Sequence, residues 1–474
     1  MIYQKKLIEL FEKWAKEKSI SFTPLPESGS NRKYFRITSK NKSAIGVFNP
    51  DKRENQAFIF LSKHFIKAGL NVPQIYSTLL SYNVFLIEDL GDTTLFSLII
   101  NSTNDLSDEQ LSLIKKSLAE LGKFQIVGSR NLDYSKCYPR STFDTQSIMW
   151  DLNYFKYYFL KLTGTNFDEQ KLEDDFNTLA KYLTKAGNNF FMYRDFNSRN
   201  IIIKDKQLYF IDYQGGRKGP PQYDVASFLY SSKLNFDERL RNELLEHYLE
   251  SVSVYKKVNK KEFLKYYYDF ALIRILQMLG AYGFRGYYEG KAHFITSIPF
   301  AIKNLRNVLD KVKIKQNLPE LKKCLNEIIR SDKFTQLTKV DGNKNKLTVR
   351  INSFSYRDKI PTDFTGNGGG FVFDCRAIPN PGRLEKYRTL TGKDLQVQRF
   401  LETQPEVKRF LKESFDIVEQ SVTNYLKRGW TDLMVNYGCT GGQHRSVYCA
   451  EKLAKYLKGK YDIDIVLSHT KLIQ

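Results

Sequence analysis

The stretch FMYRDFNSRNIIIKDKQLYFIDYQGG, residues 191–216, constrains this chain more than any other. Its apolar runs, NIII and LYFI, are too short for helices and rich in β-branched and aromatic residues, so each reads as a strand. A hairpin between them brings Asn200, at the start of one, and Asp212, at the end of the other, to neighbouring loop ends where both can face one cation. Asp195 lies five residues before Asn200. Two carboxylates and an amide are thereby tied to one small β unit.

These residue types in this order suit phosphoryl transfer. That reaction asks a protein for a carboxylate beside the accepting hydroxyl, oxygen ligands that hold Mg²⁺ on the phosphates, and rigid placement of both. Asp195 is the candidate base. Asn200 and Asp212 are the candidate Mg²⁺ ligands.

The rest of the chain sets the frame. With 474 residues, 42% hydrophobic and 14% aromatic, it predicts at least two packed cores. A formal net charge of +22 invites a nucleic-acid partner. From Lys346 onward, however, there are 21 basic against 14 acidic residues, so the surplus is spread and not concentrated. RNA stays an expected partner only in the second of two readings. The five cysteines lack metal-ligand or paired spacing, which predicts neither zinc nor disulfides. The opening MIYQKKLIELFEKWAKEK has helical amphipathic spacing and no signal-peptide core, and no apolar run reaches membrane-span length; the expectation is a cytoplasmic protein without a membrane partner. Oligomeric state is not legible.

Along the chain, residues 21–50 suggest a hairpin about a Ser-Gly-Ser turn. ENQAFIFLSKHFIKAG suggests a helix capped at Gly69, and NVFLIEDLG a buried strand. Helical spacing fills most of the way to Asn189 and resumes from Pro221 to about Arg330. Apolar density falls over 331–345, a polar linker. Beyond it, KLTVRINSFSY, GFVFDCRAIPN, TDLMVNYGCTGG and DIDIVLSH read as strands alternating with helices, a compact α/β domain. The predicted domains are thus 1–330, 331–345 and 346–474.

YRDFNSRNIII and FIDYQGGRKGPPQYDVASFLY, with GSNRKYFRI, FLIEDLGDTTL and YGFRGYYEGKAHFITSIP, resemble the aminoglycoside-phosphotransferase-like kinases, and among them the anomeric kinases of N-acetylmuramate and N-acetylglucosamine. The resemblance implies an α+β two-lobed protein-kinase-like fold and an ATP- and Mg²⁺-dependent kinase of a cell-wall amino sugar. It implies Asp195 as catalytic base, Asn200 and Asp212 as metal ligands, Ser28, Gly29, Ser30 and Arg32 in the turn over the phosphates, and Glu88 and Leu90 beside the adenine. Asp224 would buttress the catalytic loop. Tyr193 stands where such kinases often carry His, and no strand lysine is visible in SAIGVFNP; Arg32 or Lys33 would supply that charge. Glu54, leading the next helix, either orients the arginine or is simply an acid at the helix N-terminus stabilised by the dipole.

NYGCTGGQHRSVYCAEKLA, residues 436–454, runs from a strand through glycines into a helix opening on His444, Arg445 and Ser446. Backbone amides, a helix N-terminus and an arginine make an anion cradle. Cys439 six residues before Arg445 also fits a phosphatase loop, but no acid partner for it is identifiable. With VRINSFSYRDKIP, VFDCRAIPNPG and TGKDLQVQRFLE, the region resembles the C-terminal domain of the RNase adapter protein RapZ. That resemblance implies a hexosamine-phosphate site of Thr440, Gly441, Gly442, His444, Arg445 and Ser446, with Arg376 nearby. Asp358 replaces an expected histidine, and TGNGGG is an insert. The first functional reading is a sugar kinase fused to a hexosamine-phosphate-binding regulatory domain; the second is an RNA-binding adapter whose kinase fold senses nucleotide.

Overall fold

The computed structural model describes residues 2–26, 32–100, 106–312, 317–331, 334, 346–358, 360, 361, 363 and 369–472. Ser28, Gly29 and Ser30 lie outside them, as do most of the linker and the TGNGGG insert. The chain divides into two compact units, Met1–Ala281 with Phe300–Arg330, and Tyr282–Pro299 with Ser331–Gln474.

The first unit begins with helix α1 (Ile2–Ala15), whose Leu7, Leu10, Phe11 and Ala15 are buried. It packs on a five-stranded antiparallel sheet of order β1-β2-β3-β5-β4: β1 Ser21–Pro24, β2 Lys33–Thr38, β3 Ser43–Phe48, β4 Ile75–Leu79 and β5 Val84–Glu88. The β1/β2 pairing spans the predicted Ser-Gly-Ser turn, Pro24 opposite Phe35. Phe11, Phe35, Ile37, Val84 and Leu86 form this lobe's core, and Trp14 stacks on Tyr76 at 4.2 Å.

Helix α2 (Lys52–Lys67) starts where Asp51 accepts from the amides of Arg53 and Glu54 and ends before Gly69, whose φ of +71° turns the chain. Its Phe65 meets Phe124, Phe191 and Tyr213 edge-on, so this helix carries the sheet lobe into the core of the helical lobe. That lobe contains α3 (Asp108–Ile126), α4 (Thr145–Phe155), α5 (Glu169–Leu183), α6 (Gln222–Leu229), α7 (Glu238–Ser253) and α8 (Lys260–Tyr282). Two small antiparallel ribbons sit in it, β6 (Phe190–Met192) with β9 (Arg217–Gly219), and β7 (Ile201–Lys204) with β8 (Gln207–Phe210). The β7–β8 turn is Asp205-Lys206, both at positive φ, the geometry a two-residue hairpin loop needs. This is the two-lobed kinase-like fold.

The second unit is a parallel α/β sheet of order β11-β12-β10-β13: β10 Thr348–Ser355, β11 Gly370–Asp374, β12 Asp432–Cys439 and β13 Asp464–His469. Every residue of β12 is buried, as expected of a central parallel strand. α9 (Pro405–Arg428) and α10 (Arg445–Lys460) pack against the sheet through Val418, Val422, Cys449, Leu453 and Leu457.

Candidate active site

Strand β6 delivers its chain end into a loop held from behind. Asp224, fully buried at the start of α6, accepts from the amides of Tyr193 (2.7 Å) and Arg194 (2.8 Å) and from Gln125 Nε2 (3.2 Å). Burial pushes its carboxyl up to about 6, while the Tyr193 and Arg194 amides pull the other way. Arg194 has a φ of +80°, a conformation costly for a side chain with a Cβ, and is pinned by an ion pair with buried Asp151 and by the Tyr223 hydroxyl. This clamp presents Asp195.

The hairpin then folds back as its sequence demands. Asn200 Nδ2 donates to the Asp195 carbonyl at 2.9 Å and to Asp212 Oδ2 at 3.3 Å, joining three residues that span eighteen positions of sequence. Asn200 Oδ1 has no partner among the described residues. Asp212, at a φ of +68°, also accepts from Gln214 Nε2 (2.7 Å) and Arg32 Nη1 (3.2 Å). An amide oxygen and a carboxylate side by side, with room for phosphate oxygens, are the ligands Mg²⁺ takes. No group of three or more His, Cys, Asp and Glu able to hold a metal occurs among the described residues.

All three residues line one cavity of about 750 Å³, with Arg32, Glu88 and Leu90 on its walls. Of the two cationic residues named in place of a strand lysine, Arg32 bridges Asp212 and Glu54 Oε1 (3.1 Å) from the sheet lobe, whereas Lys33 lies over the Tyr3 ring. Glu54 is held in turn by Asn49 Nδ2 at 2.7 Å. Glu88 pairs with Lys204 at 2.9 Å, and Leu90 is buried. Burial and the neighbouring Asp212 charge push the Asp195 carboxyl above its ordinary value, against the pull of Arg194, Arg274 and Arg217.

The phosphotransferase enzyme family profile matches residues 21–259, just over half of the chain, and includes this whole constellation. The chain belongs to the phosphotransferase enzyme family. A second profile, the RapZ C-terminal domain, matches residues 347–472. Among curated relatives, a nucleotide-binding protein of Thermoanaerobacter sp. (strain X514) is 35% identical over 164 residues, 33% of this chain and 56% of that protein. The nucleotide-binding protein YvcJ of Bacillus subtilis is 39% identical over 114 residues, 24% of this chain and 37% of that protein. The chain thus spans about half the length of the curated relatives it matches. Similar solved structures include choline kinase LicA from Streptococcus pneumoniae, at 17% identity and a TM-score of 0.43 over 65% of this chain and 100% of that one. The amicoumacin kinase hAmiN matches at 13% and 0.42 over 67% and 92%. At such identities and scores the likeness says nothing of substrate.

In the second unit, the predicted cradle is one loop at the end of β12, but much of it is engaged with protein. His444 Nε2 is bonded to the Tyr387 carbonyl (2.8 Å), Arg445 Nη1 donates to the carbonyls of Arg376 (3.2 Å) and Ile378 (3.0 Å), and Ser446 Oγ lies 3.2 Å from Cys439 Sγ. The Gly442 amide also donates to Cys439 Sγ. Burial pushes the Cys439 thiol up, but bonds from Ser446 and Gly442 with the Arg445 charge outweigh it and leave the thiol below its ordinary value. Thr440 is exposed, and nothing crowds Gly441 within 4 Å. Arg376 is exposed, paired with Asp374 and stacked 4.1 Å over Tyr356. Asp358 pairs with Lys471 at 3.0 Å.

Sequence reading missed Asp151, Tyr223 and Gln125, which support the site from outside the cavity, and Gln214, which lines it. Only Gln214 left a sequence trace, by standing two residues after Asp212.

Proposed function

We propose that the first unit transfers the γ-phosphoryl group of ATP to a hydroxyl of a cell-wall amino sugar, N-acetylmuramate or N-acetylglucosamine, at the anomeric position. The observation that carries this reading is the meeting of Asp195, Asn200, Asp212 and Arg32 in one cavity between the two lobes. Asp195 accepts the proton of the sugar hydroxyl as its oxygen bonds to phosphorus and ADP leaves. Asn200 and Asp212 would hold Mg²⁺, which when bound neutralises phosphate charge. Arg32, fixed by Glu54, offers its guanidinium to the phosphates, and Glu88 and Leu90 lie where the adenine would sit. The substrate assignment rests on the resemblance of YRDFNSRNIII and FIDYQGGRKGPPQYDVASFLY to the amino-sugar kinases.

The second unit, on this reading, binds a hexosamine phosphate at the β12–α10 loop through the Thr440 hydroxyl and the open backbone at Gly441, and adjusts the kinase to that metabolite. The domain plan is a kinase over 1–330, a linker, and this module from 346. An RNA-binding adapter with a nucleotide-sensing kinase fold is the competing reading; an aligned base and metal pair favours catalysis over sensing. The decisive experiment is ADP release from ATP and Mg²⁺ with a panel of free amino sugars. Turnover with an amino sugar, with ³¹P NMR placing the phosphate at C1, supports the proposal; no turnover with any of them ends it.

A further inference from the structure

Two arginines beside Asp195 lack an acidic partner. Arg217, on β9, is 5% exposed, and its Nε and Nη2 both donate to the Gly215 carbonyl, at 3.1 and 3.0 Å. Arg274, on α8, gives Nε to Ser227 Oγ at 2.8 Å and Nη1 to Gln277, and lies 6.0 Å from the Tyr223 ring centre. Neither forms an ion pair among the described residues, and Arg217 Nη1 and Arg274 Nη2 have no partner there yet are not sealed from solvent. Buried cations are ordinarily paired, because desolvation without a counter-charge is expensive.

Their position gives the absence a meaning. A Cβ on Gly215, the residue that Arg217 grips, would stand 3.7 Å from Asp195 Oδ2, in ordinary contact, so this backbone lies next to the carboxylate. Tyr223, near Arg274, donates to Asp151, which pairs with Arg194 immediately before Asp195. Both guanidinium charges are felt at Asp195. Both come from the helical lobe, whereas Arg32 reaches Asp212 from the sheet lobe. Buried Arg241, on α7, has no acidic partner among the described residues either, but its bonds run to the Leu229 carbonyl and Asn304. Its charge is not among those that act most on Asp195, so it is the position of Arg217 and Arg274 that sets them apart.

We propose that Arg217 and Arg274 receive an anionic group of the acceptor, a carboxylate or a phosphate, and so make the site selective for acidic over neutral amino sugars. This rests on the kinase reading above, since Asp195 marks where the acceptor hydroxyl lies. A neutral sugar would leave both guanidinium groups without a counter-charge, at the larger cost for buried Arg217, since Arg274 is half-buried.

The test compares kcat/KM, from ADP release, for N-acetylglucosamine, N-acetylmuramate and N-acetylglucosamine 6-phosphate, which separate the neutral, carboxylate and phosphate cases. At least one acid should exceed the neutral sugar by about tenfold to a hundredfold, the worth of a charge-assisted hydrogen bond. Its KM should rise with NaCl while that of the neutral sugar does not. Arg217→Met and Arg274→Met should each reduce the ratio of acid to neutral turnover, and Arg274→Lys should restore part of it. A neutral sugar used as well as both acids overturns the selectivity and leaves the kinase reading standing; so does a preference that survives both Met variants. Turnover of none of the three overturns both. Should the Met variants fail to fold, the salt dependence of the wild-type KM decides: an acid KM indifferent to NaCl overturns the proposal.

Discussion

At the scale of single residues, the same carboxylate chemistry is divided between two environments. Asp195 stands behind a clamp of buried charge, and Asp212 is met by Asn200, Gln214 and Arg32. Asp195→Asn should therefore lower kcat by about 10² to 10⁴ while ATP affinity, read by calorimetry, stays nearly unchanged. Asp212→Asn should raise KM for Mg-ATP roughly tenfold or more, since on the proposed function it removes a metal ligand, and it takes one acidic partner from Arg32. Equal, small effects from the two changes would contradict this division of roles. The residues Asp195, Asn200 and Asp212 were legible because their spacing is local. Arg32 was legible only as one of two choices, because which of two adjacent side chains points into a cleft depends on the strand register, here Lys33 opposite Phe48 and Tyr34 opposite Val47.

At the scale of elements, the loop that carries Asp195 is held by α6 and by close packing of β6 against the turn before β9. A Cβ on Gly216 would come 2.2 Å from the fully buried Phe191 ring, so Gly216→Ala should destabilise the protein by about 1–3 kcal/mol in urea titration. In the second unit, Glu419 of α9 accepts from Tyr456 and Tyr461 hydroxyls at 2.5 Å each and pairs with Lys460, tying α9 to α10. The Lys460 and tyrosine hydrogen bonds pull the Glu419 carboxyl down to about 2. A depressed carboxylate stabilises the fold above its unfolded value, near 4.5, and that contribution is lost as pH falls from there toward about 2. With Lys460 half exposed, solvent screening reduces the gain to about 1 kcal/mol. Glu419→Gln should cost that much at neutral pH and nothing near pH 2. Trp430 fluorescence in a background with Trp14 and Trp150 replaced by Phe would report the difference.

At the scale of the whole molecule, two units that each read as phosphate-handling share one chain. Thr440 is exposed, so Thr440→Val should weaken glucosamine-6-phosphate binding to the full chain about tenfold by calorimetry without shifting its melting temperature. Arg445→Ala should do both, because its guanidinium carries two carbonyls of the segment after β11. RNA binding, if it is a function of the basic surface, must weaken with salt at a log-log slope of about −0.7 to −0.9 per neutralised phosphate. Filter binding that is weak at physiological salt and unmoved by the sugar phosphate would remove the adapter reading.

The sequence by itself determined the order of elements, the two-lobed and α/β fold classes, and the residues whose spacing is short enough for local backbone geometry to bring them together. Periodicity and turn chemistry act over a few residues, and a hairpin of Asp205 and Lys206 suffices to set Asn200 beside Asp212. Tertiary structure alone decided what meets across long intervals: Asp151 with Arg194, Gln125 with Asp224, Glu54 with Arg32, and the two arginines left without an acid beside Asp195. Those contacts are fixed by which helix faces are buried against which, and a buried charge declares its partner, or its want of one, only once the surrounding water has been excluded.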